Sequence, residues 1–386
     1  MTLFTKLLCS EKDQKEFIRT IWQQQPLFIK GALKELGGDV LNVVDGATLA
    51  DLAFETEVES RIISGHGIDG DWVCQQGPLS EDSFKALPDE NWTLLVQGVD
   101  QWSEEVSGIL DSFSFLPRWR LEDIMASYAP KGGGVGPHFD YYDVFLLQIS
   151  GTRQWHLGQQ CNDDTPLQDN ESVKLLAEFE VKDTHSAKSG DILYIPAGVA
   201  HWGTALSDDC ITLSVGFRAP SQRELLVATL GSFFEEMADS FSEQQRYQDT
   251  ADSIDVHPAK INQAVHKQLS QYLSALTPEM LQQSINQAFG QLVTEPRYTS
   301  VEESPPQDYV KIVIEKLTQD GYLTLEHPIH SRFAFSETQL FVNGEAFNVS
   351  ETFAQAVCEG KVSRELSDYE MVFLVELLES GDIELG

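Results

Sequence analysis

The chain has 386 residues, 41% hydrophobic and 23% charged, an ordinary globular composition in an amount that suggests two or three domains. Its 61 acidic against 26 basic side chains give a net charge of −35, which argues against nucleic acid as a direct partner and favours a basic ligand, the alternative being that the excess only maintains solubility. Five cysteines without a C-x-x-C spacing, an opening apolar stretch too short for a signal peptide and no membrane-length apolar run predict a reduced, cytoplasmic protein without a membrane partner.

In chain order, the pattern predicts a helix over 11–23, a strand over 26–31, a short helix over 48–55 and strands over 61–64, 92–99 and 119–128. His66 lies among turn residues with no second ligand at strand or helix spacing, and reads as a surface histidine. The glycines at 132–136 lack the G-x-G-x-x-G frame, since position 137 is Pro, and they precede a strand where a dinucleotide site needs a helix. They read as a flexible entry loop or as a wide hairpin turn.

The next stretch carries the chemistry. Side chains two apart on a strand project the same way, so His138 and Asp140 of HFD can grip one cation. A third ligand is offered by His201, after the Gly190-Asp191 turn, the apolar run Ile192 to Ile195 and a Pro-Ala-Gly turn. Two imidazoles and one carboxylate leave three metal positions open, as in the facial triad of non-haem Fe(II) oxygenases, with manganese and zinc as the alternative metals. Tyr141, Tyr142 and Asp143 follow at once, and either frame the mouth and receive a substrate side chain, or pack and face solvent.

After the apolar strand 144–149 and the Ser150-Gly151 turn, alternation places Arg153 on one face with Trp155 and Leu157. A guanidinium on an apolar face needs a partner, and its own strand offers no acid. A bound dicarboxylate would satisfy it, its far end on Arg153 and its 2-oxo acid end on the metal. His156 falls on the outer face, His185 is placed in a loop, and residues 161–183 read as a surface excursion.

The residues GPHFD at 136–140, Arg153 thirteen positions after Asp140, GDILYIPAGVAH and SVGFRAP ending at Pro220 together resemble the JmjC-type 2-oxoglutarate oxygenases. The bacterial branch that hydroxylates an arginine of a large-subunit ribosomal protein is the nearest in pattern. The resemblance implies an α+β fold built on a double-stranded β-helix (cupin/JmjC barrel) over 1–220. It implies His138, Asp140 and His201 as ligands of Fe(II), and Arg153 as anchor of 2-oxoglutarate, with Ser127 and Thr212 adding hydrogen bonds. It further implies O2 as co-reactant, succinate and CO2 as products, and a basic ribosomal protein as partner. Histidine hydroxylation and a non-catalytic metal-binding scaffold are the alternatives.

Beyond Pro220 the period becomes helical. Ser221 and Glu224 form a capping box, and apolar residues recur at helical spacing through Phe241, from Pro258 to Leu276 and from Thr277 to Leu292. The resemblance makes 221–295 a helical dimerisation region, hence a homodimer; the alternative is packing on their own barrel only. Residues 296–386 predict helix, strand, a hairpin turning at Asn343-Gly344 and two closing helices, which resembles a winged-helix module. Its acidic last helix favours protein contact over DNA.

Overall fold

The computed structural model describes residues 11–35, 38–68, 70–170, 173–238, 248, 263–273, 278–297 and 309–386. Most of the predicted break at 242–255, Phe241, Pro258, Ile261, Leu276, Thr277 and the Ser304 to Pro306 break lie outside the described residues, as do the side chains of Met237, Leu269, Tyr272 and Leu273. The chain forms two compact units, Met1–Ala219 and Pro220–Gly386.

Among the described residues the first unit contains eleven strands: β1 (Leu27–Ile29), β2 (Ser60–Ser64), β3 (Val73–Gln76), β4 (Trp92–Val96), β5 (Leu121–Ala129), β6 (Asp143–Ser150), β7 (Thr152–Gln160), β8 (Asp183–Lys188), β9 (Ile192–Ile195), β10 (Val199–Ala205) and β11 (Cys210–Phe217). Eight make a sheet in the order β1-β9-β6-β11-β5-β4-β2-β3, and three make a second in the order β10-β7-β8. All the paired strands run antiparallel.

Alternation divides each strand of the large sheet between two environments. Phe145, Leu147 and Ile149 of β6, Ile124 and Ala126 of β5 and Leu213, Val215 and Phe217 of β11 face an outer core with Phe17 and Trp22 of the N-terminal segment. Val144 and Leu146 of β6 and Leu193 and Ile195 of β9 face inward, meeting Trp155 and Leu157 of the small sheet. The inner face also carries polar groups: the register aligns Arg61, Leu95, Ser127, Thr212 and Gln148 in one row across five strands.

In the second unit, the helix Gln222–Ala238 begins at the expected capping box, with Glu224 N–H donating to Ser221 and Ser221 N–H to the Glu224 carboxylate. It packs on the helix Pro278–Thr294. A further core joins the helices Tyr309–Asp320, Glu351–Cys358 and Asp368–Glu379 with the strand Tyr322–Glu326 and the hairpin Gln339–Val342/Glu345–Asn348. Asn343 and Gly344 have positive φ of 48° and 86°, the left-handed pair of a type I′ turn. Among the described residues no helix is long and apolar enough to cross a membrane.

Candidate active site

The glycine segment turns at Lys131 and Gly132, where Gly133 N–H donates to Pro130 O at 3.0 Å, and then continues alongside β10. Gly132 N–H donates to Ala205 O, Ala205 N–H to Gly133 O, and His138 and His201 exchange both backbone hydrogen bonds, at 3.1 and 2.8 Å. The segment therefore runs antiparallel along β10. Glycine is required where it lies flat: a Cβ on Gly134 would stand 2.2 Å from Gly203 O. The excursion at 161–183 does more than cross the surface, since Leu175 packs on Gly136 and Leu176 N–H donates to Pro137 O, strapping the chain just before His138.

This backbone brings His138, Asp140 and His201 together, with one donor atom of each within 4.8 Å of the others. The rings of His138 and His201 are 4.2 Å apart between centroids, and His201 Nε2 lies 3.5 Å from an Asp140 oxygen. His138 Nδ1 contacts Gly136 O at 2.9 Å and His201 Nδ1 contacts Val199 O at 3.0 Å. A carbonyl only accepts, so in the neutral rings each Nδ1 carries the proton and each Nε2 keeps its lone pair for a metal. Burial, and then the neighbouring His138, push His201 down to about 4, so it is neutral and able to coordinate at physiological pH.

Arg153 lies on the inner face with Trp155 and Leu157, 3% exposed, its guanidinium 5.8 Å from the Trp155 ring centroid. Its Nε and Nη2 have no hydrogen-bond partner, and neither does Oγ1 of Thr93, a fully buried residue of β4. Unpaired buried donors cost several kcal/mol unless a ligand meets them, so the interior is complementary to an anion. Ser127 and Thr212 are paired across β5 and β11; the Ser127 hydroxyl donates to Thr212 O at 3.3 Å and the Thr212 hydroxyl to Gln148 Oε1 at 2.9 Å. Both must turn to donate to a ligand.

Of the three residues after the triad carboxylate, Tyr142 is the one whose hydroxyl the Asp140 carboxylate influences. Burial, and then the Asp140 and Asp123 carboxylates, hold its pKa above the usual phenol range. Tyr141 is exposed and donates to Asp163 at 2.7 Å. Asp143 corrects the expectation of a mouth residue: it is 1% exposed and pairs with Arg120 at 3.0 Å. The reason is parity, since Asp143 opens β6 on the outer face of Phe145 and Leu147, opposite Val144. His156 contacts Thr184, whereas His185 is on strand β8, not in a loop, stacked on Phe28. His66 is exposed, as expected.

Sequence reasoning missed Asp123. It shares the inner face of β5 with Met125 and Ser127 and is 3% exposed. One oxygen accepts from Gln97 Nε2 at 2.7 Å and Gly98 N–H at 3.1 Å, while the other has no hydrogen bond among the described residues. Burial, opposed by the Gln97 bond and reinforced by Asp100, pushes its pKa up to about 6.

A JmjC domain model matches residues 108–225, which contain the triad and Arg153. The chain is 32% identical over 366 residues to a probable ribosomal oxygenase of Haemophilus influenzae, covering 92% of this chain and 85% of that protein. The chain belongs to the JmjC-type ribosomal oxygenases. It is 34% identical over 300 residues to the ribosomal protein uL16 3-hydroxylase of Escherichia coli, covering 76% of this chain and 74% of that one. The solved structure of the Escherichia coli ribosomal oxygenase YcfD in complex with cobalt and 2-oxoglutarate matches with a TM-score of 0.74, 29% identity and coverage of 96% of this chain and 97% of that one. As a member of this family, the chain is a 2-oxoglutarate-dependent oxygenase. Its residues fit both groups: two imidazoles and a carboxylate for the metal, and a buried guanidinium with two unpartnered nitrogens for a dicarboxylate.

Proposed function

We propose that the protein hydroxylates a ribosomal protein side chain, the β-carbon of an arginine in a large-subunit protein. Relatives named ribosomal oxygenase and uL16 3-hydroxylase support the substrate class. The observation that carries the arginine reading is a complementary pair of unmet charges on the inner faces. Arg153 has unpaired donors for an anionic cosubstrate, and Asp123 has an unpaired oxygen for a cationic side chain.

In this reading His138, Asp140 and His201 hold Fe(II), and Arg153 anchors the far carboxylate of 2-oxoglutarate, with Ser127 and Thr212 beside it. Iron with 2-oxoglutarate and O2 bound supplies the oxidising power to place one oxygen atom on carbon. The buried Tyr142 stands beside the Asp140 carboxylate, and the apolar walls of Leu146, Trp155, Leu193 and Ile195 exclude water. Asp123 pairs with the substrate guanidinium. That choice favours arginine over histidine, because arginine is charged at every physiological pH and an imidazole is mostly neutral near pH 7. The charge of −35 attracts a basic ribosomal segment before contact.

We read 1–220 as the catalytic barrel, 221–295 as a dimerisation region and 296–386 as a winged-helix-like module for protein contact. Leu226, Leu230 and Phe234, one face of the helix Gln222–Ala238, are about half or more exposed and supply an apolar stripe for a second copy. Mass spectrometry tests the function: large-subunit proteins from cells with and without the enzyme should differ by one oxygen atom on an arginine. Absence of that difference would reject the substrate; its placement on histidine would reject the arginine assignment.

A further inference from the structure

A buried polar network in the first unit lies outside the inner faces of the sheets and next to the metal segment. Asp143 Oδ2 accepts from Arg120 Nη2 at 3.0 Å and Gln23 Nε2 at 3.2 Å, and Oδ1 accepts from the Tyr194 hydroxyl at 2.7 Å. The Tyr194 oxygen accepts in turn from Gln23 N–H at 2.7 Å, while Arg120 Nε donates to Arg218 O at 2.9 Å. The guanidinium stands 5.5 Å from the Trp22 ring centroid. Gln23 is held at φ of 60°, a left-handed conformation that a non-glycine residue adopts only when its surroundings impose it. One carboxylate thus ties together the N-terminal segment, the start of β5, β9 and the end of β11.

Energetics alone do not explain such a pair. Removing two charges from water costs about what their attraction returns, and a well-packed apolar pair of similar volume stabilises a fold as well or better. What an ion pair supplies in addition is direction. Asp143 is three residues beyond Asp140, at the point where the metal segment becomes β6. Before it, the segment is held by the His138–His201 bridge and by Gly198 N–H donating to Asp140 O at 2.8 Å. Asp143 is the fixed point on the other side.

We propose that Asp143 and Arg120 are positioning residues: their buried pair sets the backbone that aims the Asp140 carboxylate at the metal. The inference rests on the triad being the metal site. Co(II) serves as the probe, read by its visible absorption and its affinity for the purified full-length chain without 2-oxoglutarate. Arg120→Met/Asp143→Leu removes both charges, so neither is left unpaired. It should keep the cooperative thermal transition of the wild type but bind Co(II) about tenfold or more weakly, with an altered spectrum.

Leu49→Ala, in the outer core away from β6, lowers thermal stability and should leave Co(II) affinity and spectrum at wild-type values. If the double variant does not fold, Arg120→Lys keeps the charge but loses the fork, and should show a smaller loss of Co(II) affinity in the same direction. Wild-type Co(II) affinity in the double variant, in Arg120→Lys where that is the folded variant, or an equal loss in Leu49→Ala, overturns the proposal. Undiminished Co(II) binding by His138→Ala would overturn the metal site itself and the inference with it.

Discussion

His138 and His201 face each other as a doubly hydrogen-bonded antiparallel pair, so their Cβ atoms leave one side of the same two-residue bridge. The convergence of the two imidazoles is therefore a backbone property, fixed before any metal arrives. Asp140, further along one of the two segments, is the ligand whose aim depends on more distant supports.

His138→Ala or Asp140→Ala should abolish the weak visible absorption that Fe(II) and 2-oxoglutarate give when added anaerobically. Full absorbance and turnover in Asp140→Ala would reject the triad, since two imidazoles alone hold the metal poorly.

For Arg153→Leu, loss of a buried charge-assisted pair worth roughly 2 to 4 kcal/mol should weaken 2-oxoglutarate binding about 30-fold to 1000-fold. Without ligand, the same substitution should not destabilise the protein, because Nε and Nη2 have no partner to lose. Calorimetry with and without 2-oxoglutarate separates the two effects. An unchanged 2-oxoglutarate affinity would mean that another residue is the anchor.

Asp123→Asn should trade function for stability. The folded-state pKa of about 6 lies above the ordinary 3.8, so the protonated carboxyl is the form the fold accepts. Ionised burial destabilises the wild type by up to roughly 3 kcal/mol above pH 6, a penalty absent below about pH 4. The variant should therefore gain in urea unfolding at pH 7.5 and not at pH 4, while the KM for a ribosomal-protein substrate rises. For the wild type, substrate KM should rise as pH falls through about 6. A flat KM profile in that range would remove Asp123 from the binding site.

Leu226→Glu/Leu230→Glu should convert a dimer into monomer at micromolar concentration while leaving Co(II) affinity intact, measured by sedimentation and titration. A wild-type chain that already sediments as a monomer would reject the assembly.

The sequence carried the strand alternation that puts Arg153 with Trp155 and Leu157, the capping box at Ser221 and the turn at Asn343-Gly344, because each depends on residues a few positions apart. Asp143 adjoins the triad in sequence, but parity along β6 turns it to the outer face with Phe145 and Leu147. Asp123 and Thr93 were invisible for a different reason. On an ordinary strand the polar side faces water, but here polar residues line a site between two sheets, so the usual reading of polarity is inverted. The bonding of the glycine segment to β10 depends on a partner far along the chain, which local pattern does not reveal.

The bridge between His138 and His201 also bears on how the protein folds. It closes a long loop that contains β6, β7, β8 and β9, so the imidazoles meet only once two distant segments have come together. The complete metal site is absent from any chain in which this loop is still open. Refolding followed by Co(II) colour therefore reports closure of that loop, and is expected to lag behind refolding followed by far-ultraviolet dichroism.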